Sequence, residues 1–265
     1  AAVFILVFFL FYTASGFVSC AKLFSSVFGI PYLVSLVIGA VVVISYTFAG
    51  GFFAVCWTDF FQGILMFFCV LAVPTIAIFS MGGPTEFFSQ VEAFNPNFLN
   101  MFVDGATGVP YTAMGIISLL AWGLGYFGQP HILVRFMGIS SPQAIKKSRR
   151  IATVWVLISL TAAIMIGVSG RMFLGDGLLL NDGNQETIYI NMVAKIFPVF
   201  IAGIFLSAIL AAIMSTADSQ LLVTASALTE DFYHNKVHKN ASEKELMWVS
   251  RGCVMAVSYT HLRAH

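Results

Sequence analysis

The chain has 265 residues, of which 59% are hydrophobic and only 9% are charged. An average soluble domain carries roughly 25% charged residues, so this composition argues against a soluble fold with a polar surface. The formal net charge of +1 argues against nucleic-acid binding, which needs a concentrated basic face. Because lipid cannot satisfy an open backbone, the sequence predicts an all-α integral membrane protein.

Apolar segments of roughly 20 residues, the length that spans a bilayer, follow one another along the chain. Six are complete and a seventh, which begins at residue 247, is truncated. The complete spans are predicted at 1–20, 31–50, 60–82, 112–133, 151–173 and 195–217. Residue 1 already lies in an apolar run, and 258–265 interrupt the seventh. We therefore expect an internal fragment, with a partial transmembrane domain over 1–257 and a non-native tail over 258–265.

Basic residues are distributed unequally between the two sides of the predicted membrane. One side has nine, which are Arg135, Lys146, Lys147, Arg149, Arg150, Lys236, Lys239, Lys244 and Arg251. The other side has three, which are Lys22, Arg171 and Lys195. Since cytoplasmic loops are enriched in lysine and arginine, the loops 134–150 and 218–246 are predicted to be cytoplasmic.

The first span carries polar and small residues on one face. Tyr12, Ser15, Gly16 and Ser19 fall within an arc of about 100° of an ideal helix. Polar residues inside a span indicate a functional site. The alternative is a packing seam of small residues between helices.

The fourth span is interrupted by three glycines and a proline within 122–130. Trp122, Tyr126, Gln129 and Pro130 share one face of this segment. The pattern predicts a broken helix that lines a cavity, as in secondary transporters. A kinked structural helix with an interfacial Trp/Tyr pair is the alternative.

The sixth span ends in a group of hydroxyl side chains. Ala212, Ser215, Thr216 and Ser219 lie within an arc of about 100°, with Asp218 at its margin. Hydroxyls and a free carbonyl form a cluster of hard oxygens with little charge, which suits a monovalent cation that must also leave. The alternative is that the hydroxyls bond to the carbonyls one turn earlier.

Asp59 lies at the predicted start of the third span. It is either a cation ligand or relay near the inner mouth, or an acid that caps the helix and complements its dipole. The chain shows no nucleophile elbow, HExxH motif or phosphate loop in a suitable context, so nothing indicates an enzyme.

Three runs resemble the sodium:solute symporter family: YTFAGGFFAVCWTDFFQG (46–63), AWGLGYFGQPHILVRFM (121–137) and FLSAILAAIMSTADSQLLVTASALTEDFY (205–233). The resemblance extends from the first span to about residue 256. It implies an inverted five-helix-repeat (LeuT-like) transporter fold, of which the chain forms core helices three to eight and part of nine.

The resemblance also implies ligands. Sodium, the coupling ion, would bind the carbonyl of Ala212 and the hydroxyls of Ser215 and Thr216, together with carbonyls of a helix upstream of the chain. No organic cofactor is implied. Solute contacts would come from Tyr12, Trp122, Tyr126 and Pro130, with Gln129 adjacent.

A second cation site is implied by some relatives, which bind another sodium between a family acid and two residues beyond the hydroxyl pair. The acid matches Asp59, and the other two positions are Asp218 and Ser219. An aspartate at 218 departs from the hydroxyl of those relatives. It could strengthen a second cation site or pair with a cytoplasmic lysine.

The implied function is sodium-coupled import of a small solute, L-proline, across a bacterial inner membrane. Two alternatives stay open. One is a symporter for another solute, such as pantothenate, a sugar or a sialic acid. The other is the symporter-like membrane domain of a sensor kinase.

Overall fold

The structure is a computed structural model that describes residues 2–104, 107–175 and 184–263. Over these ranges the chain is helical apart from its connecting segments, and an isolated β-bridge joins Val103 to Pro110. The α-helices are α1 (Ala2–Phe28), α2 (Tyr32–Ser80), α3 (Pro84–Phe94), α4 (Ala113–Gly125), α5 (Pro130–Met137), α6 (Pro142–Leu174), α7 (Ile188–Ile196), α8 (Val199–Ser226) and α9 (Glu243–Arg263). Tyr126–Gly128 and Asn184–Thr187 are 3-10 turns, and Ala227–Val237 continues α8 as a π-helix.

Four helical stretches are long and apolar enough to cross a membrane: Ala2–Phe28, Tyr32–Ser80, Pro142–Leu174 and Val199–Val237. The predicted spans at 1–20, 151–173 and 195–217 lie largely within α1, α6 and α8. Those at 31–50 and 60–82 share α2, and the span at 112–133 is divided between α4, a 3-10 turn and α5. Of the expected tail, residues 258–263 lie in α9, and residues 264 and 265 lie outside the described ranges.

A glycine divides α2 into two helices. A straight helix of 49 residues would be about 74 Å long, at about 1.5 Å per residue, whereas the hydrocarbon core is about 30 Å thick. Gly51 interrupts it with φ 59° and ψ −160°, a conformation that only glycine adopts readily. The two parts, 32–50 and 52–80, correspond to the two predicted spans.

Arg251 of α9 reaches the end of the first part of α2. Its guanidinium lies 5.6 Å from the Phe48 ring and 5.1 Å from the Trp248 ring. Its Nη2 donates to the Ala49 carbonyl at 3.5 Å. The last four carbonyls of a helix have no intrahelical donor, and a cation at a helix C-terminus complements the dipole. Arg251 therefore caps 32–50 from another helix.

The chain forms two compact units. The first comprises Ala1–Met66 and Gly203–His265, and its core consists of small and apolar residues of α1, α2, α8 and α9. These are Phe17, Ala21, Leu36, Ala40, Val43, Ala217, Leu221 and Val257. Close helix approach requires Gly39, where a Cβ would collide with the Cys20 side chain.

The second unit is Phe67–Ala202. Here α6 packs on α7, and a Cβ at Gly170 would collide with Ile188 and Met192. The Arg171 guanidinium lies 5.1 Å from the Phe94 ring. Many large apolar side chains of this unit are exposed, among them Phe68, Leu157 and Ile164. A lipid environment accommodates such a surface, whereas water would disfavour it.

Candidate functional site

Three oxygens of α8 converge at the predicted sodium site. The Ser215 Oγ and the Thr216 Oγ1 each lie 3.1 Å from the Ala212 carbonyl oxygen, to which both donate. The spacing i, i+3 and i+4 brings them together on one face. The intrahelical bonds of the alternative interpretation are therefore present, and the sodium assignment of the same oxygens stays a prediction.

The donor set fits a hard cation of low charge. A hydroxyl donates one proton and keeps two lone pairs, so each side chain can turn its hydrogen away from Ala212 and offer an oxygen instead. With both hydrogens turned away, the cluster presents one carbonyl and two hydroxyl oxygens. They form part of a coordination shell, without a carboxylate whose charge would retain the ion.

Ser219 and Asp218 form the next polar group along α8. The Ser219 Oγ donates to the Ser215 carbonyl at 2.9 Å and lies 3.3 Å from the Asp218 Oδ1. Asp218 is fully buried, and its Oδ2 accepts a hydrogen bond of 2.7 Å from the Tyr46 hydroxyl. In the described ranges, no lysine contacts this carboxylate. The local sequence pattern did not identify Tyr46, although it begins the first of the three family-like runs.

Asp59 lies on the same unit, close enough to Asp218 for their charges to interact. Helix 52–80 resumes directly after Gly51, so Asp59 is about two turns inside it at 3.6 residues per turn. The dipole effect is confined to the first turn. The interpretation of Asp59 as a helix N-terminal acid is therefore wrong, because the connection between the two spans is far shorter than the sequence suggested.

The polar face predicted on α1 is largely exposed. Tyr12 has an exposed fraction of 41%, and its carbonyl accepts a bond of 2.7 Å from the Ser15 hydroxyl. The Ser19 hydroxyl donates to the Ser15 carbonyl at 3.0 Å. A Cβ at Gly16 would lie 3.9 Å from the Ala217 side chain, so this glycine belongs to a seam between α1 and α8.

Thr13 makes the polar contact between α1 and α8. Its hydroxyl donates to the Gln220 Oε1 at 2.9 Å, and both residues are buried. Neither was predicted, because the two positions are 207 residues apart in the chain. Thr13 is adjacent to Tyr12, and Gln220 is adjacent to Ser219, so this bond joins the two helices beside predicted site residues.

The predicted break in the fourth span is confirmed. α4 ends at Gly125, Tyr126–Gly128 form a 3-10 turn, and α5 begins at Pro130. Gln129 between them is extended, with φ −68° and ψ 111°. Proline at the first helical position lacks only an N–H that the helix would leave unused. Glycine and proline therefore separate the two short helices, as the composition indicates.

The side chains at this break differ in their surroundings. The Gln129 Oε1 is buried and has no hydrogen-bond partner in the part of the chain that the structure describes. Tyr126 is exposed, and the side chain of Trp122 lies outside the described structure. An unsatisfied buried acceptor costs roughly 1–3 kcal/mol. The Gln129 Oε1 therefore keeps its capacity to accept a hydrogen bond.

The sequence profile of the sodium:solute symporter family matches residues 1–263. The chain belongs to this family. The high-affinity proline transporter PutP of Bacillus subtilis is 47% identical over 259 residues, which are 97% of this chain and 53% of that protein. The sodium/proline symporter of Escherichia coli K12 is 45% identical over 261 residues, 97% of this chain and 51% of that protein.

A third relative, the osmoregulated proline transporter OpuE of Bacillus subtilis, is 43% identical over 97% of this chain and 51% of its own length. The fold is similar to that of a sodium-coupled sialic acid symporter in a substrate-bound, outward-open state, which revealed a novel sodium site. The TM-score is 0.80 at 20% identity, covering 99% of this chain and 57% of the other. The chain thus spans about half the length of the curated relatives that it matches.

Proposed function

We propose that the protein acts in sodium-coupled import of L-proline across a bacterial inner membrane. The convergence of the Ala212 carbonyl with the Ser215 and Thr216 hydroxyls carries this proposal. This oxygen cluster lies in a chain that is 42–47% identical to several proline transporters. All three oxygens are neutral and come from consecutive turns of an apolar helix.

The architecture that fits this function is the inverted repeat of five helices. In this arrangement, the transporter domain covers 1–257 and contains core helices three to eight with part of nine. The break at 126–129 supports the assignment, since transporters of this kind place discontinuous helices at the substrate site. The similarity of the fold to a sodium-coupled symporter supports it independently.

The solute would contact Tyr12, Trp122, Tyr126, Gln129 and Pro130. Proline combines an apolar ring with an ammonium and a carboxylate, so it needs aromatic walls and a few oriented polar groups. The buried Gln129 Oε1 would accept a hydrogen bond from the ammonium. These roles rest on the family resemblance and on the chemistry of the side chains.

Sodium would bind first, at Ala212, Ser215 and Thr216, and favour the outward-open state. Solute binding would then permit closure, and opening to the inside would release both. Linkage requires that sodium raises solute affinity by the same factor as solute raises sodium affinity. A second cation would bind at Asp59, Asp218 and Ser219, where it would have to displace the Tyr46 hydroxyl from Asp218 or share the carboxylate with it.

The orientation that we propose places the loops 134–150 and 218–246 in the cytoplasm. The excess of basic residues in these loops supports it. The variants Lys147→Cys and Lys239→Cys test this orientation when a thiol reagent is applied from each side of sealed vesicles. Labelling of either position from outside intact cells would reverse the assignment.

The sodium assignment is tested by removing the hydroxyls in the full-length protein. In Ser215→Ala/Thr216→Val, the sodium concentration for half-maximal proline uptake should rise about tenfold or more, because two ligands are lost. The matched control is Ser207→Ala/Thr224→Val, which removes the same hydroxyls from local bonds elsewhere in α8. Unchanged sodium dependence in the first variant would overturn the sodium assignment.

A sialic acid, a sugar or pantothenate is the rival solute. Competition with labelled proline uptake distinguishes them, because only a true solute reduces uptake at concentrations near its own affinity. Failure of unlabelled proline to compete would overturn the solute assignment and leave the sodium site unaffected.

A further inference from the structure

The start of α6 concentrates positive charge at the edge of an apolar span. Lys146, Lys147, Arg149 and Arg150 occupy four of five consecutive positions, and α6 contains no acidic residue. None of the four forms an ion pair within the described ranges. The apolar segment follows directly at Ile151. These cations thus lie uncompensated next to the hydrocarbon boundary.

One face of the same helix forms an open groove of about 490 Å³. Lys147 and Ser148 line it at the N-terminal end, and Ile151, Trp155 and Val156 line it farther along. The spacing of three and four residues places them on one side of the helix. The groove therefore changes from cationic and polar to apolar over about 12 Å, at about 1.5 Å per residue.

An aromatic contact fixes one wall of this groove. The Trp155 ring stacks on Phe67, with centroids 6.3 Å apart and an angle of 28° between the planes. Its exposed fraction is still 38%, so part of the indole faces the groove. Tryptophan is enriched where membrane proteins meet the headgroup region.

We propose that this groove binds an anionic phospholipid. The phosphate would lie between Lys147 and Arg150, which are three residues apart and about 60° apart around the helix, and an acyl chain would follow Ile151 and Trp155. Clusters of lysine and arginine beside a span attract anionic lipids. A free phosphate would use the cationic end alone and leave the apolar length of the groove unused.

The helix itself supplies a matched control. Lys146 and Arg149 lie about 100° and 160° around the axis from Lys147, so they carry the same charge on the other side of α6. Lys147→Gln/Arg150→Gln and Lys146→Gln/Arg149→Gln therefore remove equal charge from the same segment. Only the first pair removes it from the face on which the phosphate would lie.

The experiment titrates dioleoyl phosphatidylglycerol onto the full-length protein in a neutral detergent and counts bound lipid by native mass spectrometry. The groove variant should bind the tightest lipid about 30-fold more weakly than the unaltered protein, and the control variant less than threefold more weakly. Equal losses in the two variants would overturn the proposal. Phosphatidylcholine binding as tight as that of phosphatidylglycerol would do so as well.

A second measurement locates the lipid. Phosphatidylglycerol with brominated acyl chains should quench the fluorescence of Trp155, which is obtained by subtracting the spectrum of Trp155→Phe. Quenching should fall in the groove variant and persist when glycerol 3-phosphate is added. Full protection by glycerol 3-phosphate would show that a free phosphate is sufficient, and absence of quenching would show that protein covers the groove. Either result contradicts a lipid site, and neither bears on sodium-coupled import.

Discussion

α8 and the segment 113–137 hold predicted ligand residues in opposite ways. α8 is a continuous helix in which the hydroxyls of Ser215, Thr216 and Ser219 all bond to carbonyls of the same helix. The other segment is interrupted at Tyr126–Gly128 and leaves the Gln129 Oε1 without a partner within the described residues. The comparison teaches that a continuous helix can satisfy its hydroxyl side chains internally, whereas an interrupted helix leaves a side-chain acceptor open.

The largest difference between the two segments should appear when a proline is introduced into α8 or removed from the interrupted segment. Ala212→Pro removes a bond within the continuous helix and should lower the free energy of unfolding by about 3 kcal/mol or more. Pro130→Ala acts at a helix start, where proline is optional, and should change stability by less than about 1 kcal/mol. Proline uptake by the Pro130→Ala variant should nevertheless fall at least tenfold, since a helix could then form through 126–130. Denaturant unfolding and proline uptake measure the two effects.

Equal destabilisation by Ala212→Pro and Pro130→Ala would contradict the distinction between a continuous and an interrupted helix. Uptake that survives in Pro130→Ala would show that the break has no functional part.

The buried carboxylate on α8 gives the next largest effect. Tyr46→Phe removes the donor to Asp218 and should lower the free energy of unfolding by about 1.5–3 kcal/mol, the contribution of a bond to a charged group. Tyr32→Phe on the same helix is the control and should have no measurable effect. In Tyr46→Phe/Asp218→Asn the loss should be smaller than the sum of the single losses. Additive losses would show that the two side chains do not interact.

Gln129 and Thr13 sharpen the contrast between an unsatisfied and a satisfied polar group. Gln129→Leu should leave stability unchanged or raise it by about 1 kcal/mol, because the orphaned acceptor disappears. It should also weaken proline binding about tenfold. Thr13→Val should lower stability by about 1 kcal/mol, because the Gln220 Oε1 then loses its donor. If Gln129→Leu and Thr13→Val changed the stability measured by thermal unfolding equally, the contrast between an unsatisfied and a satisfied polar group would be refuted.

The smallest effect concerns the end of the helix that continues α8. The Glu245 carboxylate accepts a hydrogen bond of 2.6 Å from the Tyr233 hydroxyl, and its Oε1 lies 2.8 Å from the His238 Nδ1. Tyr233 first and His238 second hold the Glu245 pKa below its ordinary 4.5. A depressed carboxyl pKa stabilises the fold above about 4.5, and this contribution disappears as the pH falls through the lower folded value.

Glu245→Gln should therefore reduce the acid sensitivity of thermal unfolding below pH 4.5. Glu243→Gln, a neighbouring acid of α9, is the control and should leave the pH profile unchanged. Identical profiles for both variants would show that the contacts of Glu245 do not persist in solution.

Local patterns predicted the parts of the site that lie within one helix. The spacing of Ala212, Ser215 and Thr216 determines that their oxygens meet, because i, i+3 and i+4 always share a face. The break before Pro130 was equally predictable, because glycine and proline disfavour a helix through their backbones alone.

Contacts between distant segments could not be predicted in this way. The bond from Tyr46 to Asp218 joins positions 172 residues apart, and nothing in either neighbourhood specifies the other. The same holds for Thr13 and Gln220. The predicted position of Asp59 at a helix start was wrong for a different reason: Gly51 and Asp59 appeared to bound a connection between two spans, whereas Gly51 alone suffices to turn the chain. The assigned ligand roles stay predictions.

The capping contact of Arg251 has a consequence for biosynthesis. The guanidinium and the Ala49 carbonyl are separated by 202 positions. At a ribosomal rate of about 5–20 residues per second, position 251 emerges roughly 10–40 s after Ala49. Until then, the end of 32–50 must be hydrated or held by a chaperone. The nascent chain thus inserts the helix 32–50 before Arg251, which caps that helix, has been synthesised.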